Sequence, residues 1–584
     1  MAKLHTKSKS SRPKPSIKEI AVRQAADKQK TATARARKTA VFAFAFSGMA
    51  ALIYEVIWTR ELSLIFGSTV YAVSMMLTAF MSGLSLGAFA GGRWADKSKN
   101  LFALFGKLEL GIAIFGLLTI PLIQVLPTLY FFVYNTTRPG FFLFFFFQLL
   151  LSFLIMLIPT TFMGATFPVV AKINTASIEE LGNDVGNVYS INTVGSIIGS
   201  LGSGFLLIPL IGIKGTTFVA AGLNLFVSLT MIIVSKSSVA RRSFMAGAAI
   251  LVIVGTSAAA IHQPAITHNF YRIADYQTYD EYKEYMKNIN TLFFADDIHG
   301  RVSVFEVPGG ERSLVNDGKI EGSNTQYDRQ VTSLLALIPI MSTRGAKSVL
   351  VIGLGTGLTA HAALSEPGVR VDIVEINRSV LQASRYFVGD SVEKNRRVQL
   401  FFNDARNYLF VTDKKYDVIT SEPSYPVSTH VSHLFTKEFF ELAAKRLNNG
   451  GVYCQWIPRY IMKNEDMLMM FKTFSSVFPQ TYVWGANYGA NEAQDVMLVG
   501  VNGDRNLNVK EIERAVREAS QSRLSFDQLQ FSFFADPSAV RKLVCGTLPS
   551  GKPIPINTDD RPILEFVAPR NHIEFFDQGA NGFF

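Results

Sequence analysis

The chain has 584 residues, 48% of them hydrophobic, with 47 Phe and a mean hydropathy of +0.22, which is too apolar for an ordinary soluble protein and points to a bilayer. The formal net charge is +11, but residues 1–38 hold twelve Lys and Arg against Glu19 and Asp27, so ten of those charges sit there and the rest is nearly neutral. That distribution excludes a basic nucleic-acid groove in the folded part, and two cysteines, Cys454 and Cys545, exclude a disulfide framework or a cysteine-rich metal site.

The segment 1–38 is rich in Lys, Ser, Ala and Pro and is expected to be a disordered basic tail. Its simplest role is to fix a cytoplasmic N-terminus and touch anionic lipid; an arm for nucleic acid is the alternative. No signal-peptide cleavage pattern precedes the first apolar run, so that run is expected to be retained. About seven stretches are long and apolar enough to span a bilayer, near 40–58, 69–91, 102–127, 141–170, 187–210, 215–235 and 243–262. They predict an α-helical membrane bundle over 39–262. Gly83, Gly87 and Gly91 share one helix face, and Gly195, Gly199 and Gly202 form a similar set; both predict close helix packing. Glu55, Arg60 and Glu61 cluster at the end of the first span, and Glu109 lies within the third. An acid inside a span needs a partner or a cavity, so an ion pair and a transport role both fit.

Residues 263–299 read as a polar, Tyr-rich linker, and 300–345 as a small β-meander built on Arg301–Val307, Ser313–Val315 and the Asn316-Asp317-Gly318-Lys319 turn. Over 346–570 strands alternate with helical patterns, with core strands expected at Ser348–Ile352, Arg370–Glu375, Val398–Phe402, Tyr416–Thr420 and Val452–Trp456. That alternation predicts a doubly wound, Rossmann-like α/β sheet. Residues 571–584 are left as a tail.

The first of these strands ends in Gly353-Leu354-Gly355-Thr356-Gly357, where glycines let the backbone approach a ligand. The second ends in Glu375, placed to accept hydrogen bonds from a ribose diol. A glycine-rich turn alone is shared by nicotinamide, flavin and adenosylmethionine enzymes. Asn403-Asp404-Ala405-Arg406 follows the third strand and offers a carboxylate and an amide to an adenine amino group. Glu422 follows the fourth, beside the nucleoside, and is the best general-base candidate; capping the next turn is its bland role. His430 and His433 lack a clear third ligand, so no metal is expected. Tyr453, Trp456 and Tyr460 suit packing or an acceptor pocket.

These pieces resemble the spermidine synthase family of aminopropyltransferases, a branch of the adenosylmethionine-dependent methyltransferase fold. The resemblance rests on Asp317-Gly318-Lys319, the glycine loop, Val374-Glu375-Ile376, Asp404-Ala405, Tyr416–Ile419, Leu434–Phe440 and Gly450-Gly451-Val452. The spans resemble the membrane half of a fused class described as major-facilitator-like spermidine synthases, through Ile53-Tyr54-Glu55-Val56, Phe66–Thr69, Gly164–Pro168 and Asn557–Pro562. The resemblance implies no permanently bound cofactor and a co-substrate that is S-adenosylmethionine or its decarboxylated form. It also implies donor binding by Gly353, Gly355, Gly357, Glu375, Asp404 and Ala405, catalysis by Glu422, and an acceptor wall that includes Asp317 and Tyr425. The chain departs from the family pattern at three places. Tyr425 replaces an amine-anchoring Asp, Tyr327-Asp328-Arg329 replaces Tyr-His-Glu, and Thr356 replaces an acid that binds an amino group. A polyamine needs carboxylates to offset its desolvation, so nucleoside binding is better supported than putrescine binding.

The expected function is a membrane-integral transferase with an adenosyl-sulfonium donor and an unknown amine-like acceptor. The alternatives are a non-catalytic subunit acting in partner binding, assembly or transport coupling, and a methyltransferase. Expected partners are the lipid bilayer, the two small molecules and a homo-oligomeric or membrane-complex neighbour, without nucleic acid. The expected location is a bacterial cytoplasmic membrane with the N-terminus inside. Seven spans and the basic loops at Arg93, Lys97, Lys99, Lys236, Arg241 and Arg242 favour an extracytoplasmic C-terminal domain, whereas a cytoplasmic donor favours the opposite side.

Overall fold

The structure, a computed structural model, describes residues 17–137, 139–175, 178–260, 279–429, 431–488, 491–524, 526 and 529–574. Its first part is helical: α1 (Ile17–Phe66), α2 (Val70–Lys97), α3 (Leu101–Thr137), α4 (Phe141–Asn174), α5 (Leu181–Gly202), α6 (Ile208–Ser235) and α7 (Ser238–Ala260). α1 reaches back to Ile17, into the stretch expected to be disordered, because that stretch is dense in Ala, Lys, Arg and Gln, which are strong helix formers. The turn to α2 is set by Thr69, whose Oγ1 accepts from Ala72 N at 3.0 Å.

Among the described residues six helical segments are long and apolar enough to cross a membrane, one fewer than expected. The difference lies in Leu181–Ser235, which counts as one segment and holds two of the expected spans. The chain reverses within it. Gly195 packs on Ala45 and Gly199 on Met49, so α5 runs parallel to α1. Asn224 meets Glu109 and Ser228 meets the Gly106 carbonyl, so α6 runs antiparallel to α3. Since Ser47 meets Glu109 and Tyr54 lies on Gly116, α3 runs with α1. Gly212, at φ 70°, breaks the helix between the two passes.

The glycine faces pack as their spacing predicts. A Cβ on Gly83, Gly87 or Gly91 would lie 1.8, 2.0 or 2.5 Å from atoms of Thr160, Thr161 and Ala165 on α4. Gly202, by contrast, faces open space. Glu109 is fully buried and takes hydrogen bonds from Ser47 Oγ (2.5 Å) and Asn224 Nδ2 (2.7 Å), with no ion pair among the described residues.

The second part opens with an antiparallel meander, β1 (Asn290–Asp297), β2 (Gly300–Glu306), β3 (Arg312–Asn316) and β4 (Lys319–Ser323). β1 falls within the stretch expected as linker; its pairing with β2 supplies the order that its sequence does not signal. Asp317 and Gly318, both at positive φ, close the β3–β4 hairpin. The main sheet holds β5 (Ser348–Ile352), β6 (Arg370–Glu375), β7 (Val398–Phe402), β8 (Tyr416–Ser421), β9 (Leu447–Pro458), β10 (Gln480–Tyr488), β11 (Asn491–Val501) and β12 (Phe531–Ala535), in the order β12-β10-β11-β9-β8-β5-β6-β7. β9-β8-β5-β6-β7 are parallel and the other three antiparallel, so the chain winds outward in both directions from β5. Alternate residues of β5 enter different cores, Val349 and Val351 on one face and Leu350 and Ile352 on the other, as a sheet covered on both sides requires.

The meander and the carboxyl edge of the sheet sit against the C-terminal end of α1. Arg301 of β2 bonds Glu61 of α1 at 3.3 Å and Asp296 of β1 at 2.8 Å, and the Arg60 guanidinium donates to the Asp297 carbonyl. Thr429 donates from N and Oγ1 to the Ser68 carbonyl at 3.1 and 2.7 Å. The basic residues lie at the other end of the bundle, where Ala40, Val41 and Phe44 of α1 share a core with Ala95 of α2 and Ile173 of α4.

If the Gly87 face is a packing seam, Gly87→Leu should destabilise the detergent-purified protein by about 3 kcal/mol through overpacking. Gly92→Leu, where a Cβ meets nothing within 4 Å, should leave the melting temperature unchanged. Equal melting temperatures for the two variants would refute the seam.

Candidate active site

Parallel strands bring their carboxyl ends to one edge, and in a sheet that winds both ways from β5 a crevice opens there. Here it is a cavity of about 1000 Å³. Gly353, Gly355 and Gly357 all hold positive φ (84°, 51° and 81°), which folds the loop after β5 tightly under the cavity floor. A Cβ on Gly353 would come 3.2 Å from the Glu422 carbonyl oxygen. Gly353, Gly355 and Thr356 line the cavity. Gly357 does not; it turns the chain into the helix Leu358–Leu364.

Glu375, at the end of β6, is buried and pinned by two backbone amides, Leu354 N to Oε2 and Asn377 N to Oε1, each at 2.9 Å. Each oxygen keeps a lone pair for a ligand diol. Burial raises the Glu375 pKa above the usual carboxylate value, against those amide bonds. Asp404, after β7, caps the helix Ala405–Val411 by accepting from Asn407 N at 2.9 Å. The His433 imidazole, 3.8 Å away, lowers its pKa, so it stays ionised at the cavity rim beside Ala405. His430 lies outside the described residues.

Glu422, after β8, stands between these groups and the opposite wall. Thr359 Oγ1 donates to its Oε2 at 2.8 Å. Burial, reinforced by repulsion from Asp328 and Asp495, pushes its pKa up to about 8 against the Thr359 bond and the pull of Lys319. A carboxylate so tuned can take a proton from an amine near neutral pH.

The opposite wall holds Asp317 and Tyr425, both expected, and several residues whose sequence signal was missed. Asp317 is partly buried and accepts from Arg301 N at 2.8 Å. Lys319 Nζ lies 3.5 Å over the Tyr425 ring and bonds Glu321 at 2.6 Å and Ser424 at 2.8 Å. The Tyr425 hydroxyl accepts from Tyr460 Oη at 2.5 Å. Asp328 accepts from Ser323 Oγ at 2.6 Å, and Asp495 from Tyr327 Oη at 2.5 Å and Trp456 Nε1 at 2.7 Å. Burial raises both carboxyl pKa values, that of Asp495 to about 6. Asp328 was visible only as a degenerate motif, and Asp495 sits where β11 begins to pair with β9, opposite Pro458, where parallel-sheet reasoning does not look.

A further wall comes from the bundle. Arg60, Ser63 and Leu64 of α1 and Ser68 after it line the same cavity as Glu375 and Glu422. Only their position at the end of a long apolar helix hinted at this.

A doubly wound sheet with a crevice at the carboxyl ends of its parallel strands, lined by Glu375, Asp404 and Glu422, defines the class as a Rossmann-like α/β fold of the methyltransferase type. The description "Spermine/spermidine synthase domain" matches residues 329–487. The polyamine aminopropyltransferase of Thermococcus kodakarensis is 28% identical over 269 residues, covering 44% of this chain and 90% of that protein. The spermine synthase of Arabidopsis thaliana is 33% identical over 212 residues, covering 34% of this chain and 57% of that one. The solved spermidine synthase of Thermotoga maritima is 19% identical with a TM-score of 0.35, covering 44% of this chain and 85% of that chain. The C-terminal part of this protein is a spermidine synthase domain, aminopropyltransferase-like, joined to helices apolar enough to span a membrane.

Glu375→Gln should weaken binding of 5′-methylthioadenosine to the full chain by about 2 kcal/mol, roughly thirtyfold in Kd. Calorimetry showing unchanged affinity would remove Glu375 from the ligand site.

Proposed function

We propose that the protein is a membrane-integral aminopropyltransferase whose donor is decarboxylated S-adenosylmethionine and whose acceptor is an amine. The observation that carries this reading is the convergence of Glu375, Asp404 and Glu422, from the ends of three strands of one sheet, on one cavity. Glu375 holds the ribose and Asp404 the adenine amino group. The acceptor nitrogen attacks the aminopropyl carbon bound to the sulfonium. A C–N bond forms, the C–S bond breaks, its electron pair leaves on 5′-methylthioadenosine, and Glu422 takes the amine proton. The cavity suits two cationic reactants, because Glu422, Asp328 and Asp495 form no ion pair among the described residues. Aligning donor and acceptor in this closed space supplies much of the acceleration.

The apolar helices support integration in a lipid bilayer, in our reading the bacterial cytoplasmic membrane. The synthase domain packs on the bundle end opposite Arg35, Arg37 and Lys38, so a basic cytoplasmic end leaves it on the extracytoplasmic face. On that face the donor must be delivered from the cytoplasm. This favours, as a second reading, a domain that binds a nucleoside and couples the bundle to a partner without transfer.

Base catalysis by Glu422 predicts that kcat/KM for transfer rises with pH until about 8 and then levels, because the ionised carboxylate is the active form. Glu422→Gln should lose about a hundredfold or more in kcat; full activity in that variant would refute the assignment. Paired reporter fusions after Phe584 test the orientation: an extracytoplasmic signal is expected, and a cytoplasmic one would overturn it.

A further inference from the structure

Tyr425 occupies the loop position that anchors an acceptor amine in the resembling family, and its surroundings close it to that task. Its ring carries the Lys319 ammonium at 3.5 Å, already satisfied by Glu321 and Ser424, and its hydroxyl is engaged by Tyr460. An acceptor ammonium placed there would meet an internal cation.

We propose that the anchoring carboxylate has moved across the pocket to Asp495, and that Asp495 holds the distal ammonium of a diamine acceptor against the Trp456 ring. β11 runs antiparallel to β9, with Asp495 opposite Pro458 at the end of β9. The start of β11 therefore lies on the same edge as the end of β8, and Asp495 shares the cavity with Glu422. Tyr327 Oη and Trp456 Nε1 each donate to one oxygen of Asp495, at 2.5 and 2.7 Å, and fix its plane. Both donors are neutral, and each oxygen keeps a lone pair. Asp495 is 6% exposed and forms no ion pair among the described residues, so a buried negative charge stands without a counter-charge until a cation binds. Trp456 stacks at 6.0 Å on Tyr425, and aromatic faces beside a carboxylate make a cation site. Asp328 also faces the cavity and adds negative potential.

The inference rests on the aminopropyltransferase reading for its reaction, but not for its binding site. The test uses the full chain with 5′-methylthioadenosine bound and measures putrescine and butylamine binding by calorimetry, and transfer to each amine separately. The wild type should prefer the diamine, and Asp495→Asn should reduce that preference about tenfold or more, with Asp495→Glu restoring part of it. Retained nucleoside binding shows that each variant is folded; should Asp495→Asn fail this, Trp456→Leu, which removes the donor and the ring, replaces it and should lower the preference in the same way. A diamine preference that survives these substitutions, or a wild type that binds neither amine, overturns the inference. Diamine binding that depends on Asp495 without any transfer would sustain the subsite and refute the reaction.

Discussion

Arg301 lies almost wholly buried between Glu61 of α1 and Asp296 of β1, and its backbone N–H donates to Asp317 in the cavity wall. A charge held in so little water is stable only while its partners stay in place. Sliding of the bundle past the sheet would take Glu61 away and leave the guanidinium with Asp296 as its remaining ion-pair partner among the described residues, so the contact resists that motion. The Arg60 and Thr429 bonds act on either side of it. The cavity inherits its shape from this junction, since α1 forms one wall and the loop after β8, tied to Ser68, forms another.

Electrostatics inside the cavity follow from that enclosure. Seven carboxylates line it, those of Asp317, Glu321, Asp328, Glu375, Asp404, Glu422 and Asp495, with Lys319 and Arg60 as the lysine and arginine cations among them. Desolvation raises most of these acids, while Asp404, at the rim and 3.8 Å from His433, is lowered. The two ends thus differ: a rim where Asp404 stays ionised, and an interior where burial raises Glu422 and Asp495 toward neutral pH. A single sheet edge supports both because strand ends are fixed points while the loops beyond them are free to vary.

The sequence was most legible where local pattern and tertiary role coincide. Apolar runs gave β5 to β8 to within one residue, because a strand buried on both faces has few other ways to satisfy its side chains, whereas β9 extends over Leu447–Pro458, well beyond the expected Val452–Trp456. The glycine loop, Glu375, Asp404 and Glu422 were readable because parallel strands place their ligands at their carboxyl ends by geometry. Apolar length gave the bundle, although the break at Gly212 makes the span count depend on whether Leu181–Ser235 is taken as one segment or two. Asp495 was illegible because β11 is antiparallel, so its first residues, not its last, reach the site. Lys319 read as a turn residue, and nothing local announces that its ammonium would settle on a ring 106 positions away.

The sequence by itself determined a helical bundle followed by a Rossmann-like domain, and the strand ends at which Glu375, Asp404 and Glu422 stand. These follow from periodicity and chain order, which act over a few residues. Tertiary structure alone decided which end of the bundle meets the sheet, that α1 walls the cavity, and that Asp328, Asp495 and Lys319 face Glu422. Those outcomes depend on burial and on charges brought together from distant segments, and a buried charge is decided by what surrounds it rather than by its neighbours in the chain.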